Sequence, residues 1–382
     1  MKKNYDAIII GGGIAGLATA FNLAKMNFGD ILILEKELFV GAGATAKCAG
    51  GIRAQFSSKV NIEISSKSIE VFENFESITG EPALYDQVGY TFLLTEESTV
   101  EPYIKAAELQ QSLGLDIKIL SADDIKELAP PVRTDDIIKA TYHSRDGLGD
   151  PHEYLQGYFR ASKKAGVEIL TEAPVTGIAI ESGKITKVTT PKGDFETALV
   201  INAAGPYAKL IGDMVDIRIP IEPYRRQIVT SGALDFIPPT MPMVVDVSSG
   251  LYCHKESKGL LMGWADKDVP AGFDESQDPD YNDNILMRAL DRIPQLETAE
   301  VANSWAGLYE TTPDHHAIIG FYKEVEGFFT IGGFSGHGFM HAPGAGIVAA
   351  EIICGKKPSI DITRLAPGRF ADGSGEEEIN VI

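Results

Sequence analysis

The chain opens on apolar blocks separated by sharp breaks. Ala7-Ile8-Ile9-Ile10 is a short continuous apolar run that reads as a buried strand. Gly11-Gly12-Gly13-Ile14-Ala15-Gly16 follows at once, and Ile14, Leu17, Ala18, Phe21 and Ala24 then recur on one helical face. Ile31-Leu32-Ile33-Leu34 reads as a second buried strand, closed by Glu35. Strand, glycine turn, helix, strand and acid make the dinucleotide-binding fingerprint in its full context. Gly11 permits the tight turn, Gly13 lets the backbone approach a pyrophosphate, and Gly16 lets the helix pack on the strands. The helix start offers N–H groups and partial positive charge to phosphates. Glu35, nineteen residues after Gly16, is placed for ribose hydroxyls. A glycine-rich turn without ligand is the alternative reading, and the fingerprint alone leaves NAD and FAD open.

Further along, a helical period covers residues 60–80 (Ile62, Ile69, Phe72, Phe75), Tyr90–Leu94 reads as a strand, and 104–113 as a helix ended by Gly114. Ser121 with Asp124 and Ile125 marks a capped helix start. Asp150-Pro151-His152-Glu153 supplies an N-cap, a first-turn proline and an acid at N3 for a helix reaching about Lys164 and ending at Gly166. His152 there is read as a surface cap residue rather than a catalytic one. Runs at 167–170, 173–175, 178–180 and 187–190, the last two around the turn Ser182-Gly183-Lys184, predict a β-meander. Residues 198–205 form another buried strand running into small residues. Strand-like runs over 217–265 are separated by Pro and Gly; 327–331 is a last strand, followed by a glycine-rich turn and a helix over 345–353. The nucleotide-binding pieces lie at the start, middle and end, so two interleaved domains are expected.

Composition narrows the class. A chain of 382 residues with 44% hydrophobic residues accommodates two domains and a large core. Its 39 glycines suit several close backbone approaches to a ligand. Cys48, Cys253 and Cys354 are far apart, odd in number and without metal-ligand spacing, which fits a reducing cytoplasm. Met1-Lys2-Lys3-Asn4 runs straight into the first strand, so no signal peptide is expected, and no apolar stretch reaches the roughly 18 residues of a membrane span. A net charge of −20 argues against nucleic acid as a partner. Residues 371–382, with Glu376-Glu377-Glu378, read as an acidic, solvated tail.

Four further segments carry candidate chemistry. Residues 41–56, rich in small residues, suggest backbone lying against a planar ligand, with a flexible loop as the plainer reading. Asn202-Ala203-Ala204-Gly205-Pro206 ends a strand where a cofactor could approach. Trp305 to Asp314 contains Thr311-Thr312-Pro313-Asp314, and Gly332-Gly333-Phe334-Ser335-Gly336-His337-Gly338-Phe339-Met340 is a second strand, glycine turn and helix start. Ser335 is not a hydrolase elbow, because His337 stands where the last glycine of that motif belongs. His315 and His316 are adjacent and cannot share one helical face, so no metal site is expected.

Together these segments resemble the D-amino-acid-oxidase superfamily of FAD enzymes. The similarity is strongest to the branch of sarcosine oxidases, the catalytic subunits of heteromeric sarcosine oxidases, and archaeal dye-linked L-proline dehydrogenase β subunits. It covers nearly the whole chain and is carried by Gly11 to Gly16 with Glu35, Cys48 to Phe56, Ile221 to Gln227, Trp305-Ala306-Gly307 with Thr312-Pro313-Asp314, and Gly333 to Met340.

The resemblance implies an α/β, Rossmann-like FAD-binding domain (1–85, 145–215 and 320–370) interleaved with an α+β substrate domain on a mixed sheet (86–144 and 216–319). It implies FAD contacts at Gly11, Gly13, Ile14, Ala15, Gly16, Glu35, Lys36, Thr45, Ala46, Cys48, Arg53, Gln55, Val175, Ala203, Gly205, Gly333, Phe334, Gly336, His337, Gly338, Phe339 and Met340. It also implies oxidation of a small amino acid, proline-like or N-methylglycine-like, by hydride transfer from the α-carbon to flavin. Arg53 matches the family arginine that pairs with the substrate carboxylate. Three departures from the oxidases follow. Gly307 stands where monomeric sarcosine oxidases attach flavin to cysteine, implying non-covalent FAD. Leu261 replaces a lysine that promotes reaction with oxygen, implying a dehydrogenase that passes electrons to a partner or dye. Met340 replaces a carboxylate-binding lysine, leaving recognition to Arg53, Tyr252, Tyr309 and the neighbouring His341. An oxygen-using sarcosine or glycine oxidase, and a flavin-binding subunit of a heteromeric complex, are the rival readings.

Overall fold

The computed structural model describes residues 2–266, 268–371 and 377–381. A six-stranded sheet runs in the order Ile318–Phe321, Phe328–Gly332, Val200–Asn202, Ala7–Ile10, Ile31–Leu34, Glu168–Leu170. Every neighbouring pair is parallel except the first. Its strands are continuous apolar runs because both faces are covered. Ile9, Ile33 and Ile201 point to one face, where the helices Ile14–Lys25, Lys59–Glu73, Pro151–Lys164 and Gly338–Ile353 pack. Ile8, Leu32 and Val200 point to the other, under the meander Gly177–Glu181, Lys184–Thr190 and Gly193–Glu196. The meander turns at Ser182 and Gly183, both at positive φ.

An eight-stranded mixed sheet forms the second layer, in the order Val301–Thr311, Glu222–Ser231, Gly259–Trp264, Leu251–Glu256, Met243–Asp246, Tyr90–Leu94, Lys139–His143, Ile117–Leu120. Its single parallel pair joins Met243–Asp246 to Tyr90–Leu94. Alternation again sorts the side chains. Leu93, Val244, Cys253 and Met262 face the helices Ala122–Leu128 and Pro279–Arg292, whereas Tyr90, Phe92, Val245, Tyr252 and Leu261 face inward, toward Ala49 and Leu148. Arg292 locks the outer layer, donating to Asp246 and Asp136, each at 2.7 Å, from a buried position. The two sheets draw on alternating stretches of chain, as an interleaved mixed α/β fold requires.

The helical stretch expected over 60–80 is two helices, Lys59–Glu73 and Phe75–Thr79; 173–175 forms no strand, and Glu168–Leu170 pairs with Ile31–Leu34 rather than in the meander. Two further helices differ in extent. The helix expected over 104–113 is Glu97–Ser112 and contains Pro102. The helix expected over 345–353 is Gly338–Ile353 and contains Pro343. The sequence reading does not include the strand Val301–Thr311 or the helix Pro279–Arg292, although Asp278-Pro279 gives that helix an N-cap and a first-turn proline. The acidic tail is corrected too. Glu376 lies outside the described residues and Glu377 is exposed, but Glu378 is buried, because hydrogen-bond donors far away in sequence surround its carboxylate.

Candidate active site

The strands Ala7–Ile10, Ile31–Leu34 and Val200–Asn202 end together at one cleft, a position fixed by their parallel pairing. Gly11 turns the chain at φ 111°, and a Cβ there would lie 2.3 Å from the Ala203 carbonyl. At Gly16 a Cβ would lie 2.1 Å from the Gly11 carbonyl, so the helix seats on the turn only as glycine. Gly13 is different, since its missing Cβ faces Thr45 Oγ1 at 3.4 Å across the cleft wall. Gly13 caps the helix Ile14–Lys25 without a side-chain cap, and the Ile14 N–H meets Thr45 Oγ1 at 3.2 Å. Glu35 accepts from Gly12 N at 2.8 Å and from Glu37 N at 2.9 Å, which holds its carboxylate at the cleft edge.

The far end of the cleft is the turn after Phe328–Gly332. Gly333, Ser335 and Gly336 take positive φ, and at Gly336 a Cβ would lie 2.4 Å from the Tyr309 ring. His337 caps the helix Gly338–Ile353 without a side-chain bond. Glu310, on the strand Val301–Thr311, lies against the Gly333 and Phe334 N–H groups. Burial raises its carboxyl from the ordinary 4.5 to about 7, and its Oε2 has no partner among the described residues.

Of the residues expected from sequence, Gly11, Gly13, Ile14, Ala15, Glu35, Lys36, Thr45, Cys48, Val175, Ala203, Gly205, Phe334, Gly336, Gly338 and Phe339 line this one cleft, together with Tyr252 and Tyr309. Gly16, Ala46, Arg53, Gln55, Gly333, His337, Met340 and His341 stand behind its wall. Gln55 is fully engaged, bonding Tyr90 O, Asp146 Oδ2 and Thr141 Oγ1. Met340 packs in the apolar core. Gly307 lines the cleft and packs on Lys47, whose backbone carbonyl accepts from the Trp305 indole at 3.0 Å. Leu261 is buried on the inner face of the eight-stranded sheet.

Arg53 is 1% exposed. Its Nη1 donates to Gln55 O; its Nη2 donates to Asn380 O at 2.5 Å and to His337 Nε2 at 3.2 Å. The guanidinium lies 3.9 Å over the Phe56 ring, and Nε has no partner among the described residues. Arginine only donates, so His337 Nε2 is the acceptor and its proton sits on Nδ1. Burial and the Arg53 charge depress both neighbouring imidazoles, His337 well below the usual range and His341 to about 3. His341 is therefore neutral at pH 7, packed 4.7 Å from Phe56, and brings a hydrogen-bonding ring rather than a positive charge.

Sequence reasoning missed Glu310, Arg226 and the Glu378 cluster. Arg226 lines the cleft with its guanidinium 5.3 Å over the Tyr309 ring. Arg226 sits in a segment already marked as a motif, and Glu310 in another, so both were within reach of a residue-by-residue reading.

The FAD dependent oxidoreductase family profile matches residues 6–352. The chain belongs to this family. Among its relatives, the mitochondrial dimethylglycine dehydrogenase of Rattus norvegicus is 28% identical over 97% of this chain and 45% of its own length. Sarcosine oxidase subunit beta of Arthrobacter sp is 27% identical, over 92% of this chain and 87% of that one. The crystal structure of L-proline dehydrogenase from P. horikoshii superposes with a TM-score of 0.93 at 30% identity, covering 98% of this chain and all of that one. Glycine oxidase from Geobacillus kaustophilus shares the fold, with a TM-score of 0.86 at 24% identity. The chain spans about half the length of the curated dehydrogenases it matches. The site suits the family's cofactor. A helix start with no side-chain cap from Gly13, two cleft glycines, Gly11 and Gly336, that admit no Cβ, and a Glu310 Oε2 without a partner among the described residues surround one continuous cleft. Among the described residues no helix is long and apolar enough to cross a membrane, and no cluster of His, Cys, Asp or Glu could hold a metal ion.

Proposed function

We propose that the protein oxidises a small amino acid, proline-like or N-methylglycine-like, at its C–N bond and passes the electrons to a partner or dye. The observation that carries this reading is Arg53. A buried guanidinium facing two backbone carbonyls and a neutral imidazole lacks a counter-anion among the described residues. An unpaired buried charge costs several kcal/mol; the guanidinium stands behind the cleft wall beside His337, and a substrate carboxylate that reaches it past that wall removes the cost. Bound FAD supplies the acceptor for the two electrons and the α-hydrogen. Glu35 would hold ribose hydroxyls, the helix start at Gly13–Gly16 would face the diphosphate, and the helix start at Gly336–Gly338 would meet negative charge at the other end. Tyr252 and Tyr309, whose phenols burial holds protonated, present hydroxyls to the substrate.

Gly307 offers no nucleophile, which supports non-covalent FAD. Leu261, which the resemblance aligns with the oxidases' lysine, lies apolar on the inner face of the eight-stranded sheet and brings no cation to stabilise reduced oxygen, which supports a dehydrogenase. Likeness to a sarcosine oxidase subunit supports a partner chain, and three unpaired cysteines support a cytoplasmic setting. Residues 1–85, 145–215 and 320–370 make the cofactor unit in this reading, and 86–144 with 216–319 the substrate unit. The test is anaerobic bleaching of the flavin by a panel of amino acids, followed by the rate of colour return in air. Bleaching by proline or N-methylglycine with slow return is expected; no bleaching by any amino acid overturns the reading.

A further inference from the structure

We propose that Glu378 is a positioning residue of the substrate site. It anchors residues 378–380 on the start of the helix Lys59–Glu73, and the Asn380 carbonyl so placed sets the plane of the Arg53 guanidinium. The inference rests on the carboxylate-binding role of Arg53 proposed above.

Glu378 is 1% exposed and accepts from Ser57 N at 2.7 Å, Ser58 N at 3.1 Å, Ser58 Oγ at 2.9 Å and Asn61 Nδ2 at 3.0 Å, and also from Ser57 Oγ. Burial alone would raise this carboxyl, yet it lies below its ordinary range because these donors favour the ionised form. Ser58, the N-cap, makes no side-chain cap bond to its own helix. The carboxylate accepts from the N–H groups of Ser57 and the N-cap Ser58, just ahead of the helix, and so puts negative charge at its start from a distant part of the chain. Stability alone needs no more than that, but the same segment continues to the site. Asn380 O takes Arg53 Nη2, and Asn380 Nδ2 reaches Gln55 O at 3.4 Å, the carbonyl that Arg53 Nη1 also uses. Glu378 N donates to Asp314 O, and Asp314 is tied to Arg369 at 2.7 Å. His316 Nε2 meets Ser58 Oγ at 2.9 Å. The Thr312-Pro313-Asp314 motif, the helix start and Arg53 are thereby joined through one buried carboxylate. Two carbonyls at the guanidinium ends leave Nε as the orphan donor.

The test uses holoprotein and pyrrole-2-carboxylate, an acid with no oxidisable α-hydrogen, titrated by flavin absorbance. Glu378→Gln puts an amide N–H against backbone donors. Its Kd for the acid is expected to rise about tenfold, and the substrate KM to rise with it while kcat stays within about twofold. An unchanged Kd in folded, flavin-loaded E378Q overturns the inference, even if the melting temperature falls, since that result describes a cap alone. Arg53→Ala is titrated alongside. If it too leaves Kd unchanged, the carboxylate reading of Arg53 falls; if only Glu378 is silent, only this inference falls. Should E378Q not fold, Ser57→Ala removes one donor and is read by the same criteria.

Discussion

Gly12 donates its backbone N–H to Glu35 Oε2 at 2.8 Å, so the acid that closes the second strand braces the glycine turn that ends the first. In the proposed reading the ribose acceptor and the phosphate cradle are therefore one mechanical unit. Glu35→Ala should raise the FAD Kd by tenfold or more, roughly the loss of one or two charge-assisted hydrogen bonds. Fluorescence of released flavin on dilution measures it; an unaltered Kd would mean the turn holds its shape without the brace.

Glu310 predicts a pH dependence. Its folded carboxyl titrates at about 7 against an ordinary 4.5, so the folded form binds the proton more tightly than the unfolded chain. That contribution is fully present below pH 4.5, declines as pH rises, and is lost above 7. The difference is at most about 3 kcal/mol. Urea unfolding of flavin-free protein at pH 5 and pH 8 should show wild type losing more stability than Glu310→Gln. Parallel profiles for the two would contradict the burial argument.

Leu261 tests the choice of electron acceptor. After anaerobic bleaching, colour should return in air at least tenfold faster in Leu261→Lys, provided a cation there stabilises reduced oxygen. The lysine enters a buried site, so flavin content of the variant is measured first. Equal return rates in fully loaded variant and wild type would remove Leu261 as the determinant.

Arg292 separates stability from chemistry. It is buried between Asp246 and Asp136, and removing it leaves the buried Asp246 without a cation, while Asp136 keeps Arg133 at 3.4 Å. Arg292→Ala should cost about 3–5 kcal/mol in denaturant unfolding while leaving the FAD Kd near wild type. A large loss of FAD affinity at full folding would link the outer face of the eight-stranded sheet to the cleft.

Legibility from sequence followed locality. The first strand, glycine turn, helix and second strand were readable because each signal lies within a few residues of the next. Gly338–Ile353 was read seven residues short because glycine and proline argue against helix. Gly346 is there for packing, since a Cβ would lie 2.9 Å from the backbone of Ala18 on the first helix. Pro102 hid the start of Glu97–Ser112 in the same way. The expected cofactor residues that line the cleft belong to readable motifs. Glu378 did not, because an acid beside two other acids looks solvated until Ser57, Ser58 and Asn61, more than 300 positions away, are brought to it.

Strand order also sets when the cleft can exist. Ala7–Ile10 is synthesised first, but its neighbour Val200–Asn202 comes about 190 residues later, and Phe328–Gly332 later still. Until then a nascent chain carries an apolar strand with an open edge, a template for wrong pairing. Loop closure over such spans is slow. The glycine turn made first waits for the turn made nearly last, so flavin capture marks the completion of folding rather than its beginning.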